Sequence, residues 1–183
     1  LLADCKRQQV DFILELGDLC HPTEENRTVL TAFQNAGFPC YFSLGNHNID
    51  FCPPETALEF LGLNCGHYTV IKDHVKFVFL NAAYTDAPNP APYIPPEQLC
   101  WLKQEISDDR YFYVICTHQS LHNSFVTAKG KPRGIINRAE VRAILEQRNQ
   151  ENKRVLLCIN GHDHGNALKI IGGIPYYTLN SAS

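Results

Sequence analysis

Arg154-Val155-Leu156-Leu157-Cys158-Ile159-Asn160-Gly161-His162-Asp163-His164-Gly165 is the stretch on which the fold turns. Its first seven residues are of strand length and enclose an apolar run over residues 155–159, of the kind found in sheets covered on both faces. The run breaks at a glycine into two imidazoles and a carboxylate. Working outward, the same succession recurs: residues 10–16 lead into Gly17-Asp18, residues 39–44 into Gly45-Asn46-His47-Asn48, and residues 111–117 into His118. Layered α/β folds bind ligands beyond the carboxyl ends of their strands. Four segments distant in sequence therefore converge on one site. Turn chemistry accounts for a lone Gly-Asp, but not for four strand ends that all carry His, Asp or Asn.

The rest of the chain alternates helical and strand patterns, as an α/β layered domain does. Residues 1–9 pattern as a helix, as do 23–36, with Thr23 as N-cap and Gly37 as stop, and 54–61, with proline in the first turn. A fourth helix, over 96–106, turns Leu99, Trp101, Leu102 and Ile106 inward. A fifth opens at Asn137-Arg138-Ala139-Glu140, which has capping-box spacing, and carries Val141, Ile144 and Leu145 on one stripe. Residues 67–72 and 75–80 form a hairpin turning near Asp73, and strands 167–171 and 175–179 are joined by Gly172-Gly173. Residues 81–96 contain five prolines and form an irregular surface loop. A single domain over residues 1–183 accounts for the whole pattern.

Hydrophobic residues make up 44% and charged residues 19% of 183, the balance of a globular protein rather than a disordered or fibrous one. A net charge of −3 leaves no basic stripe for a nucleic-acid polymer, so an anionic substrate must be met locally. No apolar run approaches the roughly 20 residues that span a bilayer, and no membrane partner is expected. Eight cysteines without a Cys-x-x-Cys pair favour neither a zinc ribbon nor a disulfide framework. They read as buried reduced thiols, which favours a cytoplasmic location. The chain opens on Leu1 and contains no Met, so Leu1 reads as an interior residue.

Imidazoles beside one carboxylate and one amide oxygen suit divalent ions such as Mn²⁺, Fe²⁺, Zn²⁺ or Co²⁺. In Gly-His-Asp-His the two imidazoles stand at i and i+2, placed in a turn to reach two ions. The sequence has no Gly-x-Ser-x-Gly elbow, no Gly-x-x-x-x-Gly-Lys-Ser/Thr loop and no Gly-x-Gly-x-x-Gly turn. Serine-hydrolase, P-loop and dinucleotide-binding chemistry are thereby disfavoured.

Together these motifs resemble the calcineurin-like metallophosphoesterases, marked by Asp-x-His, Gly-Asp, Gly-Asn-His-Asp/Glu, a lone His after a strand, and Gly-His-x-His. Four of the five occur here in the family's order, across residues 10–180. The resemblance implies a four-layer α/β/β/α sandwich with a two-metal site at the strand ends. It further implies that Asp18 bridges both ions and that Asn46, His118 and His162 complete the ligands of one. His164 would bind the other, with the Asp and His of the first motif. No Asp-x-His precedes residue 10, so the first strand and its motif are expected upstream of Leu1. The competing expectation is a single-metal or degenerate member. His47 resembles the family's catalytic histidine, beside the ions without binding them. The family follows it with Asp or Glu, whereas Asn48 can only hydrogen-bond. Either His47 carries less positive charge at neutral pH, or another carboxylate such as Asp50 orients it.

The reaction expected from such a site is hydrolysis of a phosphate ester or anhydride by a hydroxide bridging the two ions. A small phosphodiester or nucleotide-type substrate ranks ahead of broad phosphomonoesterase activity. A metal-poor scaffold of the same fold is the reading outside the enzyme class. His122 and Asn123 are expected to border the substrate, and His21 either lines the site or caps the next helix. Lys129, Lys131 and Arg133 form a cationic lip or a solvated loop, and Tyr84 and Tyr93 could stack on a nucleobase. His67 and His74 read as structural or surface residues.

Overall fold

The computed structural model describes residues 1–83, 91–123, 125–130 and 132–181, and builds two sheets with helices outside both. Helix α1 (Leu2–Gln8) leads into β1 (Ile13–Glu15), which pairs in parallel with β2 (Cys40–Phe42) across α2 (Arg27–Gln34). Helix α3 (Pro54–Leu61) precedes the hairpin of β3 (Tyr68–Lys72) and β4 (Val75–Phe79). Then come α4 (Pro96–Glu105), β5 (Phe112–Thr117), α5 (Arg138–Asn152) and β6 (Val155–Asn160). The hairpin of β7 (Ala167–Ile171) and β8 (Ile174–Thr178) follows. The larger sheet has the order β3-β4-β5-β6-β8-β7. Its four central strands are parallel and both edge strands antiparallel.

Side-chain alternation along β5 sets the layers. Tyr113 and Ile115 join Leu102 and Ile106 beside α4 and Val141 and Leu145 of α5 in one core. Val114 and Cys116 point the other way and pack with Phe79, Ile159 and Leu16 between the two sheets. A third cluster sets Leu30 of α2 and Phe60 and Leu61 of α3 on Phe42 and Leu44. The order is helix, sheet, sheet, helix, as the resemblance implied.

Tertiary contacts override several local expectations. The strands expected over 10–16 and 39–44 pair over only three residues each, and among the described residues β1 and β2 pair with each other alone. The helix expected from 23 begins as a 3₁₀ turn over Glu24–Asn26, and Thr23 is extended with no side-chain cap bond. Asn137 does not cap α5 with its side chain either. That amide instead accepts from Ile94 N at 3.0 Å and donates to Ile94 O at 2.8 Å, a buried pairing with the loop before α4. All eight cysteines are free, but only Cys116 and Cys158 are buried, while Cys65 and Cys100 are exposed. Among the described residues, no helix is long and apolar enough to cross a membrane.

Glu15, on β1, has its Oε2 shielded from solvent with no hydrogen-bond partner. Burial pushes its carboxyl up to about 8; the Gly17 amide offsets this in part, and the Asp18 charge adds to it. The folded chain thus keeps a proton that the unfolded chain releases, so stability falls as pH rises from about 4.5 towards about 8. Glu15→Gln, which mimics the protonated form, is expected to flatten this fall. Urea midpoints of both proteins at about pH 5 and about pH 8 measure it, and equal pH dependence would refute the assignment.

Candidate metal centre

Four loops meet where β1, β2, β5 and β6 end. Asp18, His162 and His164 sit there with φ of 67°, 62° and 50°. Left-handed backbone costs a non-glycine residue on the order of 1 kcal/mol and persists only where the surroundings over-determine it. Two glycines permit the close approach. Gly17 has φ 97°, and a Cβ there would lie 2.5 Å from His118 Nδ1; at Gly45 a Cβ would fall on the Asp18 carboxylate.

His118, buried at 2% exposure, is the hub. Its Nδ1 lies 2.7 Å from the carbonyl oxygen of Leu16, which can only accept. Nδ1 therefore carries a proton, and Nε2 is the nitrogen that faces the cluster and is available to a cation. Around that nitrogen stand Asp18 Oδ2 at 2.9 Å, Asn46 Oδ1 at 3.0 Å and His162 Nδ1 at 3.2 Å. One proton on Nε2 could not serve three such neighbours, whereas a cation at their centre serves all four. An ion bonded to each at about 2.1 Å sets its ligand atoms about 3.0–3.4 Å apart, in octahedral or tetrahedral arrangement, which matches these spacings. The donors of Asp18, His118 and His162 all lie within 4.8 Å of one another. The residues present fit a divalent ion.

The electrostatics agree. Burial raises the carboxyl of Asp18, but the hydrogen bond and charge of His118, with the His47 amide and charge, bring it below its ordinary value. Burial first, then the His118 and Arg133 charges, lower His162 to about 4 against the pull of Asp163 and Asp18. At neutral pH this leaves an anionic oxygen and a neutral imidazole, the forms that bind metal.

His47 is exposed beside the cluster; its amide donates to Asp18 Oδ1 at 2.8 Å and its Nδ1 lies 2.5 Å from Asp50 Oδ2. The Asp50 hydrogen bond raises its pKa; burial opposes this, and the charges of Asp18 and Asp50 add to the rise. Of the two expected partners, Asp50 reaches the ring. Asn48 is buried at 2% exposure and ties loops together: Oδ1 accepts from Gly45 N (2.8 Å) and Asp18 N (3.2 Å), and Nδ2 donates to Cys20 O (2.9 Å).

A cavity of 590 Å³ opens beside the cluster, lined by Asp18, His118 and His162 together with His21, His47 and His164. His164 is exposed and stands outside the tight group. His21 lines the wall with its Nδ1 donating to His47 O at 2.8 Å, and its ring packs 5.1 Å from that of Phe51. His122 and Asn123, expected to border the substrate, turn inward instead. His122 Nε2 bonds Thr178 Oγ1 at 2.9 Å, and Asn123 Nδ2 donates to Asp163 Oδ2 at 2.7 Å. Arg133 bonds Asp163 while 38% of its side chain remains exposed, and Lys129 is exposed. Tyr84 and Lys131 lie outside the described residues, Tyr93 is half-buried, and the His67 ring packs on Trp101 far along the chain from any strand-end motif. Two participants went unread in the sequence. The backbone carbonyl of Leu16 has no sequence signature, and Asp163 signals nothing until its partners 30 and 40 residues upstream are known.

Fold and site together define a divalent-cation centre at the strand ends of a four-layer sandwich. The model of the calcineurin-like phosphoesterase family matches residues 1–166. The chain belongs to that family, and so to the metal-dependent hydrolases of phosphate esters. No curated protein matches its sequence. Among solved structures it is similar to a dimetal phosphatase from Danio rerio (TM-score 0.73, 17% identity, covering 98% of this chain and 75% of that one). It is also similar to GAP50, the anchor in the inner membrane complex of Plasmodium (TM-score 0.66, 17% identity, 100% and 65% covered). A third structure is of a Staphylococcus aureus protein described as a 5′-nucleotidase (TM-score 0.61, 17% identity, 99% and 43% covered). At these identities the likeness is one of fold.

Replacing Asn48 by alanine strands two amide donors and one carbonyl around Asp18. The expected loss of stability is on the order of 3 kcal/mol, measured by urea unfolding. A loss within experimental error would show that the amide does not tie these loops.

Proposed function

We propose that the chain hydrolyses a small phosphodiester or nucleotide-type substrate at a two-ion centre. Asp18, Asn46, His118 and His162 would hold one ion, and Asp18 with His164 would contribute to the second. The convergence of Asp18 Oδ2, Asn46 Oδ1 and His162 Nδ1 on His118 Nε2 carries this reading. When bound, divalent ions polarise a phosphoryl oxygen and lower the pKa of water. This chain's own residues supply the remainder. Asp18 stays ionised and offers both oxygens, one of them steadied by the His47 amide. His47 turns its Nδ1 to Asp50 and leaves Nε2 for the leaving-group oxygen, and the carboxylate favours the protonated ring, the form that can deliver a proton there. A nucleotide-type substrate is supported by the neighbour described as a 5′-nucleotidase. The second reading, a scaffold, draws on the neighbour described as an anchor.

Removing metal with a chelator is expected to abolish turnover across a panel of phosphodiesters, nucleotides and monoesters, and Mn²⁺ to restore it. His47→Ala should lower kcat by about 10²–10⁴-fold with metal content unchanged. Loss of metal in that variant would make His47 a ligand instead. No bound ion and no turnover on any ester would leave the scaffold.

A further inference from the structure

The turn that carries His162 and His164 holds both residues at positive φ, with an internal bond from Asp163 N to Gly161 O at 2.7 Å. One hydrogen bond does not over-determine two left-handed residues, so the restraint must come from outside. It comes from the loop after β5. Asp163, only 14% exposed in its side chain, accepts from Arg133 Nε on Oδ1 at 3.0 Å and from Asn123 Nδ2 on Oδ2 at 2.7 Å. Arg133 Nη2 also donates to the carbonyl oxygen of His162 at 3.2 Å.

The two gripping residues are themselves held. Ser120 Oγ accepts from the amides of His122 (3.1 Å) and Asn123 (2.9 Å), and Asn123 Oδ1 accepts from Phe125 N (2.8 Å). Arg133 N donates to Phe125 O at 3.0 Å, and Ile135 N to Ser120 O at 3.0 Å. The two limbs of the loop touch so closely that a Cβ on Gly134 would collide with the Asn123 carbonyl. A guanidinium on such a frame, bonded both to the carboxylate and to the neighbouring carbonyl, fixes direction as well as charge.

We propose that Arg133 and Asn123 are positioning residues that grip Asp163 from both carboxylate oxygens. They thereby lock the His162–His164 turn in the one conformation that aims His162 Nδ1 at His118 and Asp18. This rests on the reading of that cluster as a divalent-ion centre. Arg133 then serves the centre through Asp163 rather than meeting the substrate as part of a cationic lip.

The test is Co²⁺ titration of the full-length protein, following the visible ligand-field bands, for wild type, Arg133→Ala, Arg133→Lys, Asn123→Ala and His162→Ala. Wild type is expected to bind, and His162→Ala to lose the site. Arg133→Ala and Asn123→Ala should weaken binding by about 10–100-fold and alter the bands, the range typical of partners that orient metal ligands. Arg133→Lys, which keeps the charge but loses the fork, should fall short of wild type. Millimolar guanidinium, but not urea, should partly restore Arg133→Ala. With Co²⁺ saturating, the Arg133→Ala defect should lie in kcat, with KM near wild type. Unchanged affinity and bands in Arg133→Ala and Asn123→Ala, with His162→Ala impaired, would overturn the grip while leaving the metal centre intact. A raised KM with unchanged metal affinity would return Arg133 to the substrate lip. If wild type binds no ion, or His162→Ala binds as wild type does, the metal reading fails and this inference with it. If Arg133→Ala does not fold, Arg133→Lys and Asn123→Ala decide by the same readouts.

Discussion

The bond from His118 Nδ1 to the carbonyl oxygen of Leu16 crosses from the larger sheet to the smaller one between two buried residues of the cavity wall. Its net worth to stability is on the order of 1 kcal/mol. Its geometric consequence is larger, because it settles which imidazole nitrogen faces the cluster. Leu16 and Cys116, two residues before His118, lie in the same core between the sheets. Apolar packing therefore brings the two strand ends into register, and the polar centre inherits the geometry. Burial of this kind is strong and without direction. Direction comes from the few hydrogen bonds at its edge.

The same arrangement separates the protonation states of groups that share one small volume. Asp18 is kept ionised by the imidazoles and amide around it, and His162 is kept neutral mainly by burial. His47, exposed and paired with Asp50, is pushed the other way and holds a proton more readily. Two histidines of one site thus do opposite work, one fit to give a lone pair and the other a proton. The difference lies in environment rather than in residue type.

The strand-end motifs were legible because each rests on a local rule. An apolar run that stops at glycine must leave its sheet there, and polar side chains that follow the stop stand at the sheet's end. Leu99, Leu102 and Ile106, and Val141 and Leu145, likewise announce their buried faces through helical spacing, and all are buried. What misled was competition from afar. Asn137 has the sequence of a cap but finds the backbone of Ile94. Asn48 stands where a partner for His47 was expected but is drawn into three backbone contacts. His122 and Asn123 follow His118 along a loop, where nothing in residue order says which way a side chain turns; both turn inward.

Residue order alone established the alternation of strands and helices and the side chains gathered at the strand ends, because periodicity and turn chemistry act over a few neighbouring residues; the motifs at those ends carried the resemblance to the family. Contacts between segments far apart in the chain settled the rest. They decided that Asp50 rather than Asn48 meets His47, that His118 offers Nε2 and not Nδ1, and that Asp163 is held by Arg133 and Asn123. Each depends on a hydrogen-bond partner whose position is set by the packing of whole layers, and a distance of about 3 Å between such groups exists only once the layers have met.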